Sequence, residues 1–241
     1  MEATSHEDRF MSWFIDFAKS TIGAKVVMGL TGLALVGFVV VHMLGNLQIF
    51  LGADALNAYA KSLHDLGGLL WAARLGLLGG VLLHILSGLR LASLNNAARP
   101  QAYAHETTVQ ASWASRYMRM SGLVILAFIV YHIAHFTLGV THPEHKALVD
   151  HMGRPDVYKM VVLGFQQPLV SASYIVAMVL LWFHLNHGAS SLFKSLGLRH
   201  SRYNDVLDKV GPAVATLVVA GNIAMPLAVL AGLVGADVGG N

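Results

Sequence analysis

The stretch "YMRMSGLVILAFIVYHIAHFTLGV", residues 117–140, decides what kind of protein this is. Beyond Arg119 it runs twenty-one residues without a Lys, Arg, Asp or Glu. A helix rises about 1.5 Å per residue and the hydrocarbon core of a bilayer is about 30 Å thick, so the stretch is long enough to cross a membrane. It lacks the strict apolar–polar alternation of a barrel strand, and as a helix it satisfies its own backbone inside lipid. Two imidazoles, His132 and His135, stand three residues apart within it. An ionisable side chain at such depth is costly and calls for a partner or a cavity.

Four further blocks read the same way, which places the expected spans at 23–46, 69–91, 117–140, 164–189 and 211–234. The predicted fold is an all-α integral membrane protein, five transmembrane helices forming one bundle. An N-terminal segment, 1–22, and a C-terminal tail, 235–241, flank it. Composition agrees: only 12% of the 241 residues are charged and 55% are hydrophobic, against about 25% charged in a soluble domain. Cysteine is absent, which excludes disulfides and thiolate ligation of an iron–sulfur cluster or structural zinc within the chain. The opening "MEATSHEDRFMSWFIDFAKS" is charged and amphipathic, without a compact apolar run before a cleavage site. It reads as a retained segment and not as a signal peptide.

Basic residues set the expected orientation. Eleven fall on one side: Arg9, Lys19, Lys25, Arg90, Arg99, Arg116, Arg119, Lys194, Arg199, Arg202 and Lys209. Lys61, Lys146, Arg154 and Lys159 make four on the other, and Arg74 lies within a span. The heavier side is cytoplasmic, so the N-terminus is expected inside and the C-terminus outside. The formal charge of +3 is then spread along a membrane face, where lipid headgroups or a partner subunit meet it. Nucleic acid is not an expected partner.

Gly29, Gly32, Gly37, Gly76, Gly79 and Gly80 thin the helix surfaces. They serve either close helix packing or room for a flat cofactor. Pro168 and Pro226 fall inside expected spans, where they would kink them.

Six of the thirteen histidines lie in the spans: His42, His84, His132, His135, His184 and His187. His42 comes seventeen residues after Lys25, roughly 25 Å along the helix at 1.5 Å per residue. His132 is thirteen beyond Arg119, roughly 20 Å. His84 is only six before Arg90, roughly 9 Å, and His184 ten before Lys194, roughly 15 Å. Two levels result. His42 can meet the third-span doublet near the outer side, and His84 the fourth-span doublet near the inner side. Pairs at two depths suit two axially ligated haems. Zinc needs three or four ligands at one point, and two separate levels make no continuous proton path. Within each doublet, residues i and i+3 share a helix face, so spacing alone leaves His132 against His135 open.

At these residues the chain resembles the membrane-anchor cytochrome b subunit of succinate dehydrogenases and quinol:fumarate reductases, in its single-chain, five-helix, two-haem form. The pieces that carry the likeness are "VVHMLGN", "LLHILSGLR", "SGLVILAFIVYHIAH" and "WFHLNHGASSLF", in order along four successive spans across residues 20–235. The resemblance implies two haem b groups, with His84 and His184 as ligands of the inner iron and His42 and His132 of the outer. A glycine ten residues before the third-span ligand matches Gly122 and selects His132. Gly188, four residues on, and the "LG" at 196–197 select His184. His135 and His187 then become secondary haem contacts, with Arg90, Arg119 and Lys194 as further candidates beside the propionates.

The resemblance also implies partners and a place: a flavoprotein with FAD, an iron–sulfur protein on the cytoplasmic face, surrounding membrane lipid and a higher-order oligomer, in the cell inner (cytoplasmic) membrane. The chain is then expected to be part of an enzyme as the cytochrome b anchor subunit of a succinate dehydrogenase complex that reduces menaquinone, with its status as an isolated chain left open. Near the outer end, Asn46, Gln48, Tyr59, His64 and Asp65 are candidate quinone or proton contacts. His64 and Asp65 suit proton transfer best. Two departures stand out: no glutamate in this loop matches the one used by quinol-oxidising relatives, and Trp182 stands where fumarate reductases of this type can carry an acid. Trp182 favours succinate oxidation over the reverse reaction. A proton transporter built on intramembrane histidines is the competing class.

Overall fold

The computed structural model describes residues 12–13, 15–17, 19–98 and 116–238. Arg9, Arg99, residues 239–241 and most of the N-terminal segment lie outside the described residues. Among the described residues, five helices are long and apolar enough to cross a membrane. The first, α1 (Thr21–Asn46), starts where the Ser20 hydroxyl accepts from the Gly23 N–H at 2.9 Å, a side-chain cap on an otherwise orphaned donor. It tightens into a 3₁₀ turn, Leu47–Leu51, and stops at Gly52, whose φ of +99° suits glycine. A short amphipathic helix, α2 (Ala53–Asp65), leads through Gly67 at φ +53° into α3 (Gly68–Ala97).

The fourth helix, α4 (Met118–His132), continues as a π turn over Ile133–Thr137, closed by Leu138 N–H donating to Ile133 O at 2.8 Å. A π turn widens the helix by one residue, so His132 and His135 are not simply stacked on one face. The short α5 (Pro143–Lys146) and α6 (Val157–Gln166) follow. The last two long helices are α7 (Pro168–Ser195) and α8 (Asn204–Leu230). Pro168 does not kink a span, as expected from sequence; it occupies the first turn of α7, where its missing N–H has no helical partner to lose. Residues 164–167 belong to the preceding helix and its junction. Pro226, with Pro212, does lie inside α8.

Helices α7 and α8 form the tightest pair. Gly211 lies against Ser190 and the Asn186 carbonyl, and Ala215 and Val218 are fully buried. Helix α1 packs on α3, α7 and α8, while α4 leans on α7; α3 and α4 are not closely packed on each other. The central apolar stretch of α3 has no buried residue. Thirty residues of such a helix need a nonaqueous surround.

Helix α2 caps one end of the bundle. Asn57, 1% exposed, donates to Asp150 at 3.2 Å and Asp156 at 3.1 Å, and its carbonyl accepts from Tyr158 N–H at 2.9 Å. Arg154 joins Asp150 at 2.7 Å to Asp54 at 2.8 Å. Burial alone would raise the Asp150 pKa, but bonds from the Arg154 N–H and guanidinium, the Met152 N–H and Asn57 outweigh it and hold the carboxyl down to about 2.

Replacing Asn57 with Ala leaves these buried partners unmet and is expected to cost about 1–3 kcal/mol, read as loss of amide protection confined to α2 and the α5–α6 segment. The depressed Asp150 value makes its share of this docking complete above pH 3.8 and lost as pH falls through about 2. Hydrogen exchange in lipid discs should therefore show α2 amides opening on acidification across that window and not between pH 5 and 8.

Candidate functional site

Thr31 and Ser121 each have one hydroxyl proton, and each spends it on its own helix. Thr31 Oγ1 donates to Val27 O at 2.7 Å, with Met28 O at 3.2 Å, and Ser121 Oγ donates to Met118 O at 3.0 Å. The contacts from His84 Nδ1 to Thr31 at 3.3 Å and from His184 Nδ1 to Ser121 at 3.2 Å must then be donated by the imidazoles. Both rings are thereby set as Nδ1–H tautomers with the Nε2 lone pair free. This is how a second layer of residues orients a metal-binding histidine. The two ring centroids lie 6.4 Å apart, at 66°. Lys25, Arg90, Arg119 and Lys194 are exposed around this basic end of the bundle.

Glycines wall the His84–His184 level. A Cβ on Gly32 would come 3.3 Å from His84 Cε1, and one on Gly122 3.6 Å from His184 Cε1. Gly76, Gly80 and Gly88 stand eight and four residues before and four after His84, on its face. Gly188 holds the matching place after His184. A Cβ on any of these four meets nothing within 4 Å among the described residues, and the same holds for Gly37 and Gly79. Close helix packing therefore does not explain Gly37, Gly76, Gly79 or Gly80; Gly29, against Leu196 and Leu192, does pack. The open glycines leave a flat wall beside the imidazoles.

At the other, capped end, His42 on α1 faces His132 on α4, with centroids 5.7 Å apart and planes at 88°. The Asn46 amide donates to His42 Nε2 at 3.1 Å, so this nitrogen also carries a lone pair. Aromatic rings replace glycines here: Phe38 stacks on His42 at 5.3 Å, and Phe128, Phe136 and Tyr174 each lie 5.9 Å from His132. His135 turns away, 3% exposed, stacked on Phe136 at 4.0 Å. One hydroxyl, that of Tyr174, lies 3.3 Å from His132 Nδ1 and 3.0 Å from His135 Nδ1. His187 is half-buried, three residues beyond His184.

An imidazole nitrogen binds a first-row metal at about 2 Å, so two rings sharing one iron have centroids about 6 Å apart. Both pairs have about that spacing, the first beside open glycines of α3 and α7 and the second among aromatic rings of α1, α4 with its π turn, and α7. The donors present fit an axially held iron porphyrin better than zinc. Among the described residues, three metal-ligating side chains converge only at Asp54, Asp150 and His151, where Arg154 already pairs with both carboxylates.

The sequence-predicted quinone contacts divide. Asn46 touches His42, and the Tyr59 ring lies so close to α1 that a Cβ on Gly45 would meet it at 2.5–2.7 Å. Gln48 is half-buried in the 3₁₀ turn. His64 and Asp65 are exposed: His64 Nδ1 meets Ala60 O at 2.9 Å, and Asp65 pairs with Lys61 at 2.7 Å. They are not brought to the histidine pairs. Arg90 donates to the Lys19 carbonyl. Sequence reasoning missed Thr31, Ser121 and Tyr174. Depth held the signal for the first: Thr31 is six residues after Lys25, as His84 is six before Arg90. Comparison with protein-family models, with curated proteins and with solved structures found no match to this chain.

The hydroxyl accounting is directly measurable. In ¹⁵N-histidine spectra of the cofactor-free chain, His84 and His184 should appear as Nδ1–H tautomers. Ser121→Ala should turn His184, and not His84, into a tautomer mixture.

Proposed function

We propose that the chain is the membrane-anchor cytochrome b subunit of a succinate:quinone oxidoreductase, with one haem b between His84 and His184 and a second between His42 and His132. The observation that carries this is the pair of neighbouring imidazoles at each of two levels, at a spacing one iron fills, with Nε2 left as the lone-pair nitrogen at His84 and His184. At His42 a metal bond through Nε2 would displace the Asn46 amide. The resemblance of the four histidine-bearing segments supports the same assignment. Iron porphyrin bound at the two levels supplies one-electron transfer between the ends of the bundle.

The protein's own residues do the rest. Lys25, Arg90, Arg119 and Lys194 present positive charge at the basic end, facing the cytoplasm under the positive-inside rule. There they suit docking of an iron–sulfur protein, itself joined to an FAD-bearing flavoprotein. Arg119, two residues before the Ser121 that meets His184, and Lys194, beyond His184 on the same side, are the residues that would meet propionates of the basic-end haem. Menaquinone belongs at the capped end, where Asn46 and Tyr59 offer polar groups beside His42. Quinone reduction takes up two protons; His64 and Asp65, exposed on α2, are the water-contacting groups from which protons pass inward. Trp182 gives its indole N–H to Thr216 at 3.0 Å and holds no exchangeable acid proton. A carboxylate relay through this position is therefore absent, which favours succinate oxidation.

The test is isolation from membranes with the accompanying subunits, followed by reduced-minus-oxidised spectra on adding succinate. Two b-type components should be reduced. His132→Ala should remove the low-spin signal of the capped-end haem, and His135→Ala should retain it. The reverse outcome would move the ligand to His135, and a complex with no b-type spectrum would leave a transporter as the better account.

A further inference from the structure

We infer that Tyr174 is the positioning residue that makes His132, and not His135, the available ligand of the doublet, and that His135 acts through it. The inference deepens the haem assignment proposed above and rests on it for its redox consequence only. Tyr174 is 6% exposed and its hydroxyl lies between the Nδ1 atoms of both histidines. A phenol has one proton, so it donates to one nitrogen and accepts from the other.

Two arrangements satisfy both contacts. In the first, His132 Nδ1–H donates to the Tyr174 oxygen, Tyr174 O–H donates to His135 Nδ1, and His135 carries its proton on Nε2. His132 Nε2, the nitrogen not engaged by Tyr174, is then a lone pair. In the second, every donor reverses: His135 Nδ1–H donates to Tyr174, Tyr174 donates to His132 Nδ1, and His132 Nε2 bears a proton that bars a metal. With one phenol proton shared between them the two tautomers are opposite, and the first arrangement is the one that leaves the bare Nε2 on the ring that has another imidazole beside it, His132 next to His42. At the basic end, main-chain carbonyls take the hydroxyl protons of Thr31 and Ser121. At the capped end His135 takes that part.

His135 Nε2 is buried and finds no hydrogen-bond partner among the described residues, so the Nε2–H of the first arrangement is a cost of keeping His135 at this position. Its use as the acceptor for Tyr174 explains its presence without a second metal bond. The Tyr174 ring is held independently of its hydroxyl, against Phe128 at 5.0 Å, Phe165 at 5.1 Å and Phe136 at 5.6 Å. Tyr174→Phe therefore removes the proton switch and leaves the packing.

Two readouts test this on the protein purified with its accompanying subunits. Redox titration of wild type and Tyr174→Phe should find both haems bound in each, with the capped-end midpoint potential raised in the variant and the basic-end potential unchanged. The direction follows because loss of the acceptor on Nδ1–H makes the imidazole a weaker donor to ferric iron. His135→Leu should raise the same potential by less, and His135→Gln, which restores an acceptor, should return it toward wild type. An unchanged capped-end potential in Tyr174→Phe, or equal movement of both haems, would overturn the inference. Separately, ¹⁵N spectra of the haem-free chain should show Nδ1–H at His132 and Nε2–H at His135, a contrast lost in Tyr174→Phe. Matching tautomers at the two histidines would overturn the inference, whereas opposite tautomers in a protein that never holds haem would sink the haem assignment alone.

Discussion

A ring nitrogen buried in an apolar bundle has to be met by another polar group, because hydrocarbon offers no water to meet it. Six imidazoles stand in the long helices of this protein, and five of them are met by groups from neighbouring turns and helices. Thr31 meets His84, Ser121 meets His184, Asn46 meets His42, and Tyr174 meets both His132 and His135. Each contact occupies one nitrogen. At His84 and His184 it also fixes where the proton sits, because the hydroxyl partner has already given its own proton to a carbonyl. At these two histidines the nitrogen left over is Nε2, which carries the lone pair that a bound metal would use.

The two levels reach this state in different surroundings. Around His84 and His184 the helices lack Cβ atoms over successive turns, and the space beside Gly76, Gly80, Gly88 and Gly188 is open. Around His42 and His132 the walls are aromatic, and the α4 π turn rotates His135 out of line with His132. A flat apolar group would enter the first where side chains are absent and would meet ring faces at the second. Solvent access, polarity and hydrogen bonding are what a protein uses to tune a bound iron, so haems held at the two levels, as proposed, would differ in potential.

Much of the architecture was legible because membrane spans are set by length and hydropathy. Five long apolar blocks gave five long helices, and residue counts from Lys25, Arg90, Arg119 and Lys194 placed the histidines in depth. Local turns were less legible. The block at 164–189 hid a helix break at Gln167–Pro168, since both sides of the break are equally apolar, and only the first-turn role of Pro168 reveals it. The π turn at Ile133–Thr137 leaves no compositional trace. Glycine carried two meanings: Gly29 packs against Leu196, while Gly76 and Gly80 face open space, and only three-dimensional surroundings tell them apart. His64 and Asp65 looked like the best proton carriers for their chemistry, yet α2 turns both outward. The hydroxyl partners Thr31 and Ser121 passed as ordinary small polar residues because their significance depends on a histidine fifty or more positions away.

The central claim is that each facing pair holds one haem, and stoichiometry tests it most directly. Haem b should be quantified per chain in the purified wild-type protein and in His42→Leu and His84→Leu. The account predicts two per chain in the wild type and one in each variant, with the surviving spectrum different in the two. A wild type with no haem, or a single variant that leaves the count at two, would contradict it.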